Sequence, residues 1–217
     1  MTIHYVKDDE HIVLITIDRP EAKNSADMEH FKQLREAWER FGADDDAWVA
    51  IITGAGRGIG REHALLFASE GAKVVVNDLG GSRDGTGVDK GPAQEVVDEI
   101  VAAGGQAVAN TDDISEWAGA ERLINQAITT FGGLDVLINN AGILRDRSFK
   151  NMTDAEWDAV IDVHLRGSYL ATKHAWQQMM SQGEGGRIIM TSSTSGLIGN
   201  FGQANYGAAK AGVAGFM

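Results

Sequence analysis

The 217-residue sequence contains no cysteine. That excludes a disulfide framework, a thiolate metal site and a cysteine nucleophile. Positive charge is also scarce: 19 basic residues stand against 31 acidic ones, a formal net charge of −12. Such a chain repels a polyanion, so nucleic acid is not an expected partner. No apolar run reaches membrane-spanning length, and no membrane role is expected. Met1 to Glu10 is polar and acidic, unlike a signal peptide. The expected location is the cytoplasm.

What is present concentrates in Trp48 to Gly60, W-V-A-I-I-T-G-A-G-R-G-I-G. Val49 to Thr53 is an apolar, β-branched run suited to one buried strand of a parallel sheet. Gly54, Gly56, Gly58 and Gly60 follow, and Glu62 to Ser69 reads as helix. A strand breaking into a glycine turn that opens a helix gathers backbone N–H groups at one point, which favours a pyrophosphate. The spacing Gly54-x-x-x-Gly58-x-Gly60 is one residue longer than the commoner dinucleotide pattern, and taken alone it is weak.

From Ala50 onward strands and helices alternate, which predicts a doubly wound α/β fold with a parallel, Rossmann-like sheet. Further strands are expected at Lys73 to Asp78, Gln106 to Asn110, Val136 to Asn140 and Gly186 to Ser192. Helices are expected at Trp117 to Phe131, from the Thr153-x-x-Glu156 capping box to about Met180, and from Ala204 onward. Gly80 to Gly91 is a glycine- and aspartate-rich loop, with Pro92 placed for a first helical turn. Asp78 ends its strand where a carboxylate can accept hydrogen bonds from a ribose and repel a 2′-phosphate, which favours NAD. Arg57 in the glycine turn is a mild signal the other way. Tyr206-x-x-x-Lys210 places an ammonium one helical turn from a phenol, which favours a tyrosinate base.

Residues 1–47 differ from the remainder and form an expected appendage to the 48–217 domain. His11 to Asp18 reads as a strand with Ile3 to Val6 as a hairpin partner. Met28, Phe31, Leu34, Trp38 and Phe41 fall on one face of an amphipathic helix over roughly 26–41. If the first of these strands crosses over right-handedly, it is expected to pair beside the fifth strand of the main sheet.

Two resemblances arise from these residues. I-V-L-I-T-I-D-R-P-E-A-K-N-S, with the helix after it, resembles the start of an enoyl-CoA hydratase (crotonase) chain. There the positions matching Ala22 and Lys23 contribute to an acyl-CoA pocket, but the catalytic remainder of that fold does not follow. Over 48–217, the ordered set Thr53-Gly54-x-x-x-Gly58-x-Gly60, Asn139-Asn140-Ala141-Gly142, Ser193 and Tyr206-x-x-x-Lys210 resembles the short-chain dehydrogenase/reductase family. G-R-G-I-G-R-E-H-A-L-L-F-A, V-V-V-N-D-L-G-G and G-N-F-G-Q-A-N-Y-G-A-A-K are similar to its (3R)-hydroxyacyl-CoA dehydrogenase branch, the dehydrogenase unit of type 2 multifunctional enzymes of peroxisomes. The strand at 49–53 suits both families, which implies a chimera of two enzyme fragments joined at shared sequence.

The second resemblance implies an NAD-dependent oxidoreductase acting on the 3-hydroxyl or 3-keto carbon of an acyl-CoA. Tyr206 would be the acid/base, Ser193 would hydrogen-bond the reacting oxygen, and Lys210 would bind the nicotinamide ribose. His164 stands where many members carry an asparagine that holds a water against the lysine; a helix histidine bonded to backbone is the alternative. Gly54, Arg57, Gly58, Ile59, Gly60, Asn140 and Gly142 would line the coenzyme, with Asp113 and Ile114 flanking adenine. A capping pair of Asp113 with Glu116 is equally open. No metal is implied. Homo-oligomers through the long helix over 154–180 and the Tyr206 helix are expected. A full member continues past Met217 with two more strands, so an unpaired fifth strand and a loosely supported site are expected. An NADPH-dependent 3-oxoacyl-carrier reductase and a nucleotide-binding fragment without turnover are the alternatives.

Overall fold

The computed structural model describes residues 48–82, 84–87 and 91–217, together with two strands at 2–7 and 13–18. Those two, β1 (Thr2–Lys7) and β2 (Val13–Asp18), pair antiparallel, with Ile3 opposite Ile17 and Tyr5 opposite Ile15. The hairpin expected from the alternation of the sequence is therefore formed. The expected addition of the 13–18 strand to the main sheet is not: β1 and β2 make a two-stranded sheet of their own. Pairing with a sequence neighbour closes a short loop, and loop closure costs less the shorter the loop. The helix expected over 26–41, and Ala22 and Lys23, lie outside the described residues.

The main sheet comprises β3 (Val49–Thr53), β4 (Lys73–Asn77), β5 (Gln106–Asn110), β6 (Val136–Asn139) and β7 (Arg187–Met190). All neighbours are parallel, in the order β5-β4-β3-β6-β7. Register sets Ile51 beside both Val75 and Leu137. Successive side chains leave a strand on opposite faces, so Ile51 and Ile52 serve different cores. Ile52, Val74 and Val76 pack under α1 (Gly58–Ser69) and α2 (Gly91–Ala102), through Ala64, Phe67 and Ile100. Ile51, Val75 and Leu137 pack under α3 (Trp117–Phe131) and the long helix, through Leu123, Ala171 and Met179. Each such fully buried aliphatic side chain contributes about 1.5–3 kcal/mol.

The long helix opens as the capping box predicts. Thr153 Oγ1 accepts from the Glu156 N–H at 3.2 Å, and Glu156 Oε2 accepts from the Thr153 N–H at 2.9 Å. It is not continuous, however: α4 (Asp154–Ile161) passes through a π-helical turn, Asp162–Arg166, before α5 (Gly167–Gln182). The extra residue lets the helix follow its neighbours where Gly167 meets Ile114; a Cβ at Gly167 would stand 3.0 Å from Ile114 Cδ1. After β7 come α6 (Thr194–Ile198) and α7 (Ala204–Phe216).

Candidate active site

The strand order reverses between β3 and β6, and ligands of open α/β sheets bind outside the carboxyl ends of the strands at such a point. Here the glycine turn leaves β3. Gly60 is required by close approach: a Cβ there would lie 2.3 Å from the Gly54 carbonyl oxygen and 2.5 Å from Asn140 Nδ2. Gly58 has φ +55°, and nothing stands within 4 Å of where its Cβ would be. Arg57 is the N-cap of α1 and gives no side-chain cap, nor does the first turn hold an acidic residue. The first turn of α1 thus has no side-chain cap at Arg57 and open space beside Gly58, a setting suited to an anion. Arg57 and Ile59 are exposed beside it. Of the expected glycines, Gly54 and Gly60 seat α1 against the sheet and Gly58 leaves room above it. A pyrophosphate fits this cradle.

Asp78 follows β4 and holds the turn from below. Its Oδ2 accepts from the Gly56 N–H at 2.8 Å and its Oδ1 from the Gly80 N–H at 2.7 Å. A carboxylate offers about four lone-pair sites, so two stay available to ribose hydroxyls. Asn140 serves the same turn from the other side, donating through Nδ2 to the carbonyls of Thr53 (3.0 Å) and Gly54 (3.1 Å). Thr53 Oγ1 accepts from the N–H groups of Asn140 and Ala141, both at 3.0 Å.

The second cluster is built on the π turn. His164 is 3% exposed, points inward, and meets the Tyr206 ring edge-on with centroids 5.1 Å apart. Only glycine fits at residue 142, where a Cβ would lie 2.3 Å from His164 Cε1. His164 Nε2 lies 3.1 Å from the Ile143 nitrogen and 2.8 Å from its carbonyl oxygen. The histidine therefore takes the backbone-bonded alternative, while its buried Nδ1 has no hydrogen-bond partner among the described residues. Burial, reinforced by the Lys210 charge and opposed by the Ile143 hydrogen bond, lowers its pKa to about 4, which keeps the ring neutral at pH 7. Lys210, also buried, donates through Nζ to the Thr191 carbonyl at 2.5 Å and lies 5.7 Å from the Tyr206 ring centroid. Burial lowers its pKa to about 8, so it remains an ammonium at neutral pH.

Other expected residues make local contacts. Ser193 caps α6, its Oγ accepting from the Ser195 N–H at 3.2 Å, and no hydrogen bond joins it to Tyr206 among the described residues. Asp113 Oδ1 accepts from the Ser115 N–H (2.9 Å) and hydroxyl (2.7 Å) rather than forming the expected pair with Glu116, whose side chain makes no cap. The turn is closed locally by Ser115, which leaves α3 to begin at Trp117. Ile114 is buried in the core with Leu123 and Ala171.

Sequence reasoning missed several polar residues that fasten the cluster. Thr191 supplies the carbonyl for Lys210, and Ser192 Oγ donates to the Lys210 carbonyl at 2.8 Å. Asn205 is fully buried against two distant carbonyls. Adjacency to the Ser193 and Tyr206 motifs was the one available signal.

Comparison with known proteins agrees with this geometry. The family model described as short chain dehydrogenase matches residues 48–217. The chain is 57% identical over 162 residues to peroxisomal multifunctional enzyme A of Dictyostelium discoideum, covering 75% of this chain and 36% of that protein. It is 50% identical over 176 residues to the hydroxyacyl-CoA dehydrogenase ChsB1 of Mycobacterium tuberculosis, covering 76% and 53%. A crystal structure of a short chain dehydrogenase from Mycobacterium avium superposes with a TM-score of 0.73 at 54% identity, covering 79% of this chain and 61% of that one. The chain thus spans between about a third and about half of the curated relatives named here. The family model matches more than half of the chain, and the chain belongs to the short chain dehydrogenase family.

Proposed function

We propose that this oxidoreductase moves a hydride between NAD and the 3-hydroxyl or 3-keto carbon of an acyl-CoA. One observation carries the reading: the Tyr206 ring lies 5.1 Å from the ring of a buried, neutral His164 and 5.7 Å from the Nζ of a buried Lys210 ammonium. The N–H groups at Gly58 to Gly60 and the free lone pairs of Asp78 would hold the coenzyme. When bound, its nicotinamide supplies the hydride acceptor or donor. Tyr206 exchanges the proton of the substrate hydroxyl, and the positive charge of Lys210 stabilises the phenolate that results. Ser193 Oγ accepts from the Ser195 N–H, which leaves its own O–H to donate to the same substrate oxygen. The Asp78 carboxylate opposes a 2′-phosphate, which favours NAD over NADP. The name of one relative, a hydroxyacyl-CoA dehydrogenase, supports an acyl-CoA substrate. Residues 1–47 precede the family match and are read, on the resemblance of their sequence, as a hydratase-like fragment joined to this unit.

The test is turnover of a 3-hydroxyacyl-CoA with NAD and with NADP, beside NADH titration. NAD-linked turnover that falls by about 10²–10⁴ in Tyr206→Phe, with NADH binding retained, supports the reading. Preference for NADP would instead support a 3-oxoacyl-carrier reductase. A second reading, coenzyme binding without turnover, is favoured by β7, the strand that leads into Ser193, which is only partly buried and has no partner on its outer edge among the described residues. NADH binding with no Tyr206-dependent turnover would establish it.

A further inference from the structure

The helix that carries Tyr206 begins in an unusual way. The first N–H groups of a helix lack partners within it, and the N-cap side chain ordinarily supplies one. Here Gln203 is the N-cap of α7 and makes no cap. Its side chain turns outward, donating to Asp146 Oδ2 at 2.9 Å and accepting from Ser195 Oγ at 2.9 Å. The Tyr206 N–H is taken instead by Asn205 Oδ1 at 2.8 Å. Asn205 is 0% exposed. Its Nδ2 donates to the Arg145 carbonyl at 3.1 Å and to the Glu156 carbonyl at 3.0 Å. Both carboxamide hydrogens and the oxygen are thus committed.

Those partners are spread through the site. Arg145 lies two residues beyond Ile143, whose backbone holds His164. Glu156 is in the first turn of α4, the helix that runs into the π turn of His164. One carboxamide therefore ties the start of the Tyr206 helix to the loop and the helix that fix the other side of the Tyr206 ring. A hydrogen bond is directional where apolar contact is not, so this tie sets both the height and the rotation of α7 at Tyr206. We propose that Asn205 is a positioning residue for the reaction, acting through Tyr206. This rests on the proposed role of Tyr206 as the acid/base.

The experiment uses the full chain with Asn205→Ala, Asn205→Ser and Arg147→Ala. Arg147 ties the same loop to the same helix through Glu156 Oε1 at 3.0 Å, without touching α7's first turn. Misplacing a reacting group by about 1 Å costs up to about a hundredfold in rate. The expected result is a kcat lower by about tenfold to a hundredfold in Asn205→Ala, at near-constant KM and NADH affinity. Asn205→Ser, which restores one donor, is expected to recover part of that loss, and Arg147→Ala to lose little. A kcat loss that merely follows the unfolded fraction, or is equal in Arg147→Ala, overturns the proposal.

A second readout is independent of turnover. The chain has three tyrosines, so the fluorine resonance of residue 206 in protein labelled with 3-fluorotyrosine is identified by its loss in Tyr206→Phe. That resonance should move or broaden in Asn205→Ala and hold still in Arg147→Ala. An unmoved resonance in Asn205→Ala refutes the positioning role. Absence of Tyr206-dependent turnover in the unsubstituted chain, with the resonance shifted as expected, refutes the proposed function and with it a positioning role in the reaction, and leaves only the hold of Asn205 on the Tyr206 ring.

Discussion

On the β4 side of the sheet, Val74, Val75 and Val76 are each 0% exposed, closed in by helices on both faces. On the other side, every residue of β7 is only half-buried, and its outer edge carries no partner among the described residues. The proposed coenzyme half thus stands beside strands buried on both faces, whereas the proposed catalytic half adjoins a partly buried edge strand and relies more on individual polar ties. Lys210 to Thr191, Ser192 to Lys210 and Asn205 to Arg145 all cross between segments distant in sequence. Burial gives stability without direction; hydrogen bonds place particular atoms. A cradle for a large ligand needs the first, and a proton-transfer group needs the second.

The sharpest way to break this contrast is paired truncation in the two halves. Ile51→Ala deletes a fully buried side chain at the sheet centre and is expected to cost about 2–5 kcal/mol. Ile189→Ala, in half-buried β7, should cost roughly half as much or less, because part of that side chain already faces water. Urea unfolding of both variants measures the difference. Equal losses would show that β7 is as firmly packed as β3.

The π turn offers a second probe. His164 has its folded pKa lowered from 6.5 to about 4, so between these values the unfolded chain binds more protons than the folded one. Stability at neutral pH is therefore lost as the pH falls from about 6.5 towards 4, by about 3 kcal/mol for this group. His164→Asn removes that component. The expected result is a urea midpoint that drops less between pH 7 and pH 4 in the variant than in the unsubstituted chain. Parallel drops would mean that the histidine is not held neutral by the fold.

How much of this was legible beforehand follows from the range of each force. Val49 to Thr53, Lys73 to Asp78 and Trp117 to Phe131 announce themselves, since β-branched runs and helical periodicity are local signals that tertiary packing here reinforces. The glycine turn and the Tyr206-x-x-x-Lys210 pair were also readable. The π turn was not: it arises where Gly142, Ile114 and Tyr206 converge on one stretch of helix from distant parts of the chain. Thr191 and Asn205 escaped notice because Thr191 acts through its backbone carbonyl and Asn205 on carbonyls far away in sequence, which no spacing reveals. The pairing of 13–18 was misjudged by weighing a long crossover above the adjacent strand.

The smallest expected effect sharpens the contrast at its boundary, the start of α4. Thr153 and Glu156 form the complete capping box there, and Glu156 also binds Arg147 and offers its carbonyl to Asn205. Thr153→Ala removes one cap acceptor and should cost about 1 kcal/mol. Glu156 Oε2 would retain its bond from the residue 153 N–H, so the helix should shorten little. If the catalytic half is held by separable polar ties, this loss should add to that of Arg147→Ala only in part, since both act through Glu156. A double-mutant cycle in urea measures the shortfall. Strict additivity would mean that the cap and the ion pair act independently, and that the first turn of α4 is fixed by its packing instead.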